Sequence, residues 1–456
     1  MAERNLNIDW KQYYKDHLCT MEEAAKAVKP DDCIWVGEAS SIPYTFLDEL
    51  YKHKEDYHDV TIYSNVFNQP ADMIFDPEAK KYFRQITSYN LPLERMSIGM
   101  NVMECGSIGY DKLGDAPFVY GCNAGATYIN PPDENGWCNV GVYGVSTNII
   151  NYNNPRIKKV FGFIDATGQP PVRGDNLEWT SIHVTQLDYI VEQSTEIMEI
   201  PSAPPTQVDK DIASYILPLL KSGDKVEIGF GGLGEEIMSH LKEKAPLEVF
   251  SEVACDNMAA LVEEGVITKI TASSPGACGQ RFFEFMHNDP RCVLRPIEEN
   301  INPYFISQQE NIVAINATFM CDLLGQCCSE AQGLTPYSGA GGSFAYIYGA
   351  ATAKGGRSFL CLRSTYNDHD GERHSNIVPW LPEGVIVTTP KNFVMYIVSE
   401  YGLADCFLKT CKDRIRALIK IAHPDYRKEL MGKIVTTPLI KEDDFEGYDP
   451  FDNIKK

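Results

Sequence analysis

No C-x-x-C pair occurs in the 456 residues, although fourteen are cysteine. The closest group, Cys321, Cys327 and Cys328, lacks the paired spacing of a zinc site or a dithiol redox centre, and no metal ligand set is expected. Without a secretory leader, a disulfide framework is not expected in so long a chain, and the cysteines read as small buried hydrophobes in a reducing compartment. The opening MAERNLNIDWKQYY has no apolar stretch, and no uninterrupted apolar run is long enough to cross a bilayer. A cytoplasmic protein without membrane contact is the expectation. A G-x-x-x-x-G-K-[ST] loop is missing, which excludes a P-loop, and so is a G-x-S-x-G nucleophile elbow. Positive charge is in short supply: 41 Lys and Arg stand against 63 Asp and Glu, a formal net charge of −22. That surface repels phosphate backbones and anionic lipid, so no nucleic acid partner is expected. An anionic ligand has to be held by local basic groups or backbone N–H donors.

What is present is an ordinary globular composition, 44% hydrophobic and 23% charged, long enough for two cores. An internal echo organises it. KPDDCIWVG (29–37) and KSGDKVEIG (221–229) match in pattern at an offset of 192 positions. Each follows a helical segment (EEAAKAV, DIASYILPLLK), turns at an Asp, runs as a short strand to a glycine, and leads into an amphipathic segment (42–51, 235–244). Between the copies, MEIPSAPPTQVD carries three prolines in five positions, which neither a helix nor a central strand continues through. The expected domains are therefore 1–205 and 206–456. Strand-like runs (VTIYSNVF, KVFGFIDAT, NIVAINATFM, GVIVTTP) alternate with helical patterns (FVMYIVSEYGL, CKDRIRALIKIA), which predicts α/β domains with largely parallel sheets. The tail KEDDFEGYDPFDNIKK is expected to be loosely held.

Two glycine clusters carry the candidate chemistry. KVEIGFGGLGEEIMSHL (225–241) reads as strand, turn and helix, with Gly229, Gly231 and Gly234 in G-x-G-x-x-G spacing. Such a turn brings backbone amides and a helix N-terminus to a phosphate or an oxyanion, which suits NAD, coenzyme A or a reacting thioester. Glu252 ends the next strand-like run, LEVFSE, 23 positions after Gly229. On a dinucleotide reading it would hold a ribose hydroxyl; otherwise it can be a nucleophile, or a structural ion-pair partner at a strand end. The second cluster, YSGAGGSF (337–344), packs three glycines into four positions and so forces backbone close to a strand or a ligand. Together the two loops fit a site whose amides face a reacting carbonyl from two sides. YNDHDGERHSN (366–376) resembles a ligand set, but its all-polar run and central glycine read as a solvated hairpin tip.

Over nearly its whole length the chain resembles the acetyl-CoA hydrolase/transferase family, particularly its 4-hydroxybutyrate and butyryl-CoA:acetate CoA-transferase branch. The resemblance rests on the order of EEAAKAVKPDDCIWVGEASSIP, INPPDENGWCNVGVYG and PVRGDNLEWTSIHVTQLDYIVE in the first half. In the second half it rests on GFGGLGEEI, LEVFSE, LRPIEENINP, NIVAINATFMCDLLGQ, YSGAGGSF, GVIVTTP, SEYGLAD and IAHPDYRKEL. It implies two similar open α/β domains of the NagB/RpiA/CoA-transferase-like kind. It also implies CoA transfer between an acyl-CoA and a small carboxylic acid (acetate, butyrate or 4-hydroxybutyrate-like) through a glutamyl-CoA thioester. No tightly bound cofactor is expected, acyl-CoA being a substrate, and the family suggests a homo-oligomer, a dimer or larger. The family's L-x-I-H-[ST]-E-M strand end falls on Leu247–Val253, which makes Glu252 the nucleophile. By the same resemblance Gly229, Phe230, Gly231, Gly232 and Leu233 lie against CoA. Gly341 and Gly342 form the oxyanion loop, with Gly342 and Asn302 (in EENINP) joining the catalytic set. Phe250, Ser343, Asn376 and Leu408 depart from the family pattern, and Phe250 in particular is expected to make the pocket more apolar. An acyl-CoA hydrolase on the same scaffold, or a nicotinamide-dependent oxidoreductase, is the alternative.

Overall fold

The computed structural model describes residues 8–147, 154–165, 170–194, 197–276 and 278–453. In the first half, seven strands form one sheet: β1 Cys33–Glu38, β2 Val60–Asn65, β3 Phe83–Thr87, β4 Met103–Cys105, β5 Ala124–Ile129, β6 Lys159–Ile164 and β7 Tyr189–Glu192. Their order is β4-β3-β2-β1-β5-β6-β7, and every neighbouring pair is parallel. In the second half, β8 Lys225–Ile228, β9 Leu247–Phe250, β10 Ile267–Ala272, β11 Cys292–Leu294, β12 Ile312–Ala317, β13 Arg357–Cys361, β14 Tyr396–Ser399 and β15 Gly402–Asp405 form another. Its order is β11-β10-β9-β8-β12-β13-β14-β15, parallel except for the last pair. The first strand of each set thus sits inside its sheet and the chain winds outward to one side and then the other, so the two sheets share one topology. Crossover connections of this kind bury both faces of a parallel sheet.

The sequence echo has a physical cause. At the first turn the Asp32 carboxylate accepts from the Lys29 amide at 2.8 Å, and Lys159, opening β6, reaches it at 2.7 Å. At the second the Asp224 carboxylate accepts from the Lys221 amide at 2.6 Å and pairs with Arg357, which opens the equivalent strand β13. A buried aspartate closes each turn and meets a cation from two strands away, so both copies need Asp at one position. One large core runs through both halves, taking in Trp35, Tyr143, Val226, Phe250 and Phe282; another fills the far face of the first sheet around Phe46, Phe161 and Phe163. A third lies under Cys411–Ile421 and Pro424–Ile434. Burying each large apolar side chain contributes about 1.5–3 kcal/mol.

The fourteen cysteines are unbridged, eleven of them buried. No helix among the described residues is long and apolar enough to cross a membrane. The DIASYILPLLK helix gives way to a 3-10 turn at Leu217–Leu219, where Pro218 has no N–H to continue the ladder. Three expectations are corrected. FVMYIVSEYGL is not a helix but the hairpin β14–β15, because buried Ile397 and Val398 extend the sheet edge and the chain reverses after Ser399. GVIVTTP forms no strand beyond a single bridge from Thr389 to Cys327, with Ile386 and Val387 exposed. The tail is anchored: the Asn453 amide donates to the Tyr401 and Lys420 carbonyls at 2.7 and 2.9 Å, and its oxygen accepts from Arg427 at 2.7 Å. Residues 454–456 lie outside the described residues.

Candidate active site

In a parallel sheet the carboxyl ends of the strands share one edge, and ligands bind in the crevice there. At that edge β8 runs into the first glycine loop, and β9, its neighbour, runs into Ser251 and Glu252. Gly231 adopts φ +111°, which disfavours any side chain, and caps the helix Gly232–Ser239. Nothing stands within 4 Å of where a Cβ would project from Gly229 or Gly231, so the loop presents bare backbone to open space. Phe230 is 54% exposed, with its ring edge against Gly276.

Glu252 is half-buried, with its carbonyl fixed by the Ser273 amide at 2.9 Å. Its carboxylate meets the second glycine loop: the Gly342 amide donates to Oε2 at 2.8 Å. A Cβ on Gly342 would lie 2.3 Å from that oxygen and 2.8 Å from Ile301 Cγ2, so the approach requires glycine. Gly341, at φ +55°, turns the loop, and its carbonyl accepts from the Tyr110 amide at 3.0 Å. The Tyr89 ring covers Gly341 from the other side. Tyr89 and Tyr110 belong to the first half of the chain, so the site closes between the two sheets.

Three carboxyls gather here, Glu38 and Glu227 buried and Glu252 half-buried. Burial pushes Glu252 up to about 7, opposed by the Gly342 N–H. Glu227, within β8, is pushed up to about 8, by burial and then by the charge of Glu252. It accepts from the Asn316 side chain at 2.7 Å and the Ile315 amide at 3.2 Å. Glu38, at the end of β1, rises to about 7 through burial and then the charges of Glu252 and Glu298, against a hydrogen bond from Ser146. Of the three, Glu252 alone accepts a hydrogen bond from the second glycine loop. A carboxylate held by a backbone donor in a half-buried cleft is a competent nucleophile, and the same amide can serve the oxyanion that its attack creates.

Beside the first loop lies a cavity of about 780 Å³ whose wall includes Leu233, Phe319, Met320, Arg363, Tyr366 and Asn376; Glu252 is not part of its lining. Its size is that of a cofactor or small-molecule site.

The sequence profile of the acetyl-CoA hydrolase/transferase C-terminal domain matches residues 279–434. The 4-hydroxybutyrate coenzyme A transferase of Clostridium kluyveri is 29% identical over 441 residues, 93% of this chain and 99% of that protein. A succinyl-CoA:acetate/propanoyl-CoA:succinate CoA transferase of Fasciola hepatica is 31% identical over 329 residues, covering 68% of this chain and 66% of that one. The chain belongs to the acetyl-CoA hydrolase/transferase family. RipA from Yersinia pestis, 24% identical, superposes with a TM-score of 0.83 over 95% of this chain and 100% of its own, and shares the fold.

Gly229–Leu233, Glu252, Gly341 and Gly342 converge on the strand ends, although only Gly342 touches the carboxylate through a hydrogen bond. Asn302 is used locally: its side-chain oxygen caps the helix Pro303–Ser307 by accepting from the Tyr304 amide at 2.9 Å. Two residues earlier, buried Asn300 donates to the Ser251 carbonyl at 2.6 Å and so supports the strand end that carries Glu252. Phe250 is packed in the core against Tyr346, ring centroids 6.5 Å apart, so it does not line the cavity. Ser343 Oγ is buried without a partner beside Gly342. Asn376 lines the cavity, its amide donating to the Arg363 carbonyl at 2.8 Å. Leu408 stands 86% exposed at φ +56°, a left-handed position where glycine is at ease.

Glu38, Glu227, Asn300, Tyr89 and Tyr110 escaped sequence reasoning. A signal existed for two: a glutamate inside KVEIG or directly after WVG is a charge where a buried strand demands an apolar residue. The polar run 366–376 is the expected hairpin, Thr365–Asn367 pairing with Arg373–Ser375. Asp368, Glu372 and His374 cluster there, and the His374 ring already bonds Asp368 at 2.8 Å.

Proposed function

We propose that this protein moves coenzyme A between an acyl-CoA and a small carboxylic acid, with Glu252 as the transient carrier. The observation that carries the reading is the Gly342 amide at 2.8 Å from the Glu252 carboxylate, beside a bare glycine loop on the adjacent strand. Glu252 attacks the thioester carbonyl, the oxyanion forms against the loop amides, and CoA thiolate leaves a mixed anhydride. The thiolate then attacks the glutamyl carbon and the acyl carboxylate departs, giving a glutamyl-CoA thioester. The second acid enters by the reverse steps: its carboxylate displaces thiolate, and the thiolate takes its acyl carbon and frees Glu252. Removing one oxyanion donor from such a site costs about 3–4 kcal/mol.

In this scheme Gly229, Phe230, Gly231, Gly232 and Leu233 guide the pantetheine arm from the cavity behind Leu233. Gly341 turns the loop so that Gly342 presents the oxyanion amide, and Asn302, whose amide nitrogen is left over from capping, faces the thioester. Tyr89 and Ile301, packed over the glycine loop, exclude water from the anhydride, which favours transfer over hydrolysis. Residues 1–205 and 206–456 are the proposed domains, in a cytoplasmic homo-oligomer. Exchange of labelled CoA tests the reading. Transfer requires a second carboxylic acid, whereas thiol release without one makes the protein a hydrolase.

A further inference from the structure

Of the three glycines at 339–342, Gly342 makes room for Glu252, and the other two make room for Tyr89. A Cβ on Gly339 would collide with the Ser88 carbonyl and stand 3.0 Å from Tyr89 Cδ2 and 3.2 Å from Tyr89 Cα. A Cβ on Gly341 would stand 3.3 Å from Tyr89 Cε2 and 3.9 Å from each Glu252 carboxylate oxygen. The ring therefore runs along the loop from Gly339 to Gly341, its hydroxyl end toward Glu252. Its seat is fixed on both sides. The Asn90 side chain donates to the Ser338 carbonyl at 3.1 Å, Arg95 to the Tyr337 carbonyl at 2.7 Å, and the Tyr110 amide to the Gly341 carbonyl at 3.0 Å. The Tyr110 ring meets Tyr89 edge-on, centroids 5.5 Å apart. The two hydroxyls differ: that of Tyr110 is shut away from solvent, whereas that of half-buried Tyr89 is open and has no partner among the described residues. Glu252 Oε1 is open in the same way, Gly342 holding only Oε2. Burial and then the Glu252 charge, against that of Arg95, push the Tyr89 hydroxyl up to about 12, so it keeps its proton at neutral pH.

We propose that Tyr89 is a catalytic residue supplied by the first half of the chain: its hydroxyl donates to the carboxylic acid as that acid enters or leaves Glu252. The inference rests on Glu252 being the carrier. Once Glu252 is a thioester its own charge is gone, and the carboxylate of the second acid becomes the acceptor that the open hydroxyl lacks. One oxygen of that acid bonds the glutamyl carbon, the C–S bond breaks and CoA leaves as thiolate. The other oxygen is held by Tyr89, which keeps its proton throughout. A hydrogen bond to a charged group on a fixed donor orients the attack and offsets the loss of hydration in the cleft. Two glycines in the loop of one half thus serve a single tyrosine of the other.

The test is steady-state CoA transfer from saturating propionyl-CoA to acetate and to butyrate, in the wild type and in Tyr89→Phe. The affinity for free CoA, by calorimetry, and the thermal midpoint are measured alongside. Tyr89→Phe keeps the ring on the glycines and removes only the hydroxyl. Its kcat/KM for the acid should fall about ten- to a hundredfold, the worth of one hydrogen bond to a charged group. The fall should be equal for acetate and butyrate, because the contact is with the carboxylate. CoA affinity and the thermal midpoint should stay at their wild-type values. An acid kcat/KM within threefold of wild type overturns the proposal, and so does a fall confined to one acid. A fall shared by CoA affinity and the thermal midpoint marks a structural role and overturns it too. A wild type that transfers CoA to neither acid overturns the transferase reading itself, and the proposal with it.

Discussion

Replacing Gly342 with alanine puts one methyl group where the structure has no room for it. The residue sits at φ −88° and ψ −4°, comfortable for alanine, so backbone strain plays no part. The new Cβ would stand 2.3 Å from Glu252 Oε2 and 2.8 Å from Ile301 Cγ2. An ordinary contact needs about 3.4 Å or more, so the carboxylate must retreat by about 1 Å. Misplacing a reacting group by that much costs about a hundredfold in rate, and weakening its bond to the amide adds to it. Overpacking should cost about 1–3 kcal/mol of stability. Because the Gly342 N–H holds the Glu252 carboxyl down, the pH midpoint for activity should also rise. The assay is CoA exchange across pH, alongside urea unfolding. Gly432→Ala is the matched control: nothing lies within 4 Å of its Cβ position, and it is an exposed helical site. That variant should gain up to about 1 kcal/mol and keep its exchange rate. A folded Gly342→Ala protein exchanging within threefold of wild type would refute the proposed geometry.

Asp224→Ala should destabilise the protein by about 3 kcal/mol in urea, since it strands the largely buried Arg357 guanidinium and opens the turn before β8. Glu38, Glu94, Glu252 and Glu298 are raised to about 7 and Glu227 to about 8, each chiefly by burial. Their contribution to stability is complete below the usual glutamate range and is lost as pH rises through 7 to 8, so the thermal midpoint should fall by about 3 °C or more between pH 6 and pH 8.5. Formation of the covalent adduct should run the other way in a pre-steady-state series, rising with pH through about 7 as Glu252 ionises.

The twofold architecture was legible because one aspartate per copy closes the same turn, which leaves a pattern of Lys, Asp, strand and glycine in the sequence. The glycine loops were legible for a related reason: bare backbone near a reacting group can be specified only by glycine. Phe393–Leu403 was misread because its apolar spacing suits a helix, whereas burial of adjacent Ile397 and Val398 at a sheet edge decides for a hairpin. Asn300 and Tyr110 were hidden because their partners, the Ser251 carbonyl and the Gly341 carbonyl, are backbone atoms far away in sequence. Such partners leave no trace in residue type.

The most direct test is to incubate the protein with acyl-CoA, reduce with borohydride and map the modified residue by mass. Hydride converts the glutamyl thioester to a primary alcohol and releases CoA thiol, so Glu252 alone should carry the altered mass. An adduct on another acid, or an unmodified protein, would contradict the account.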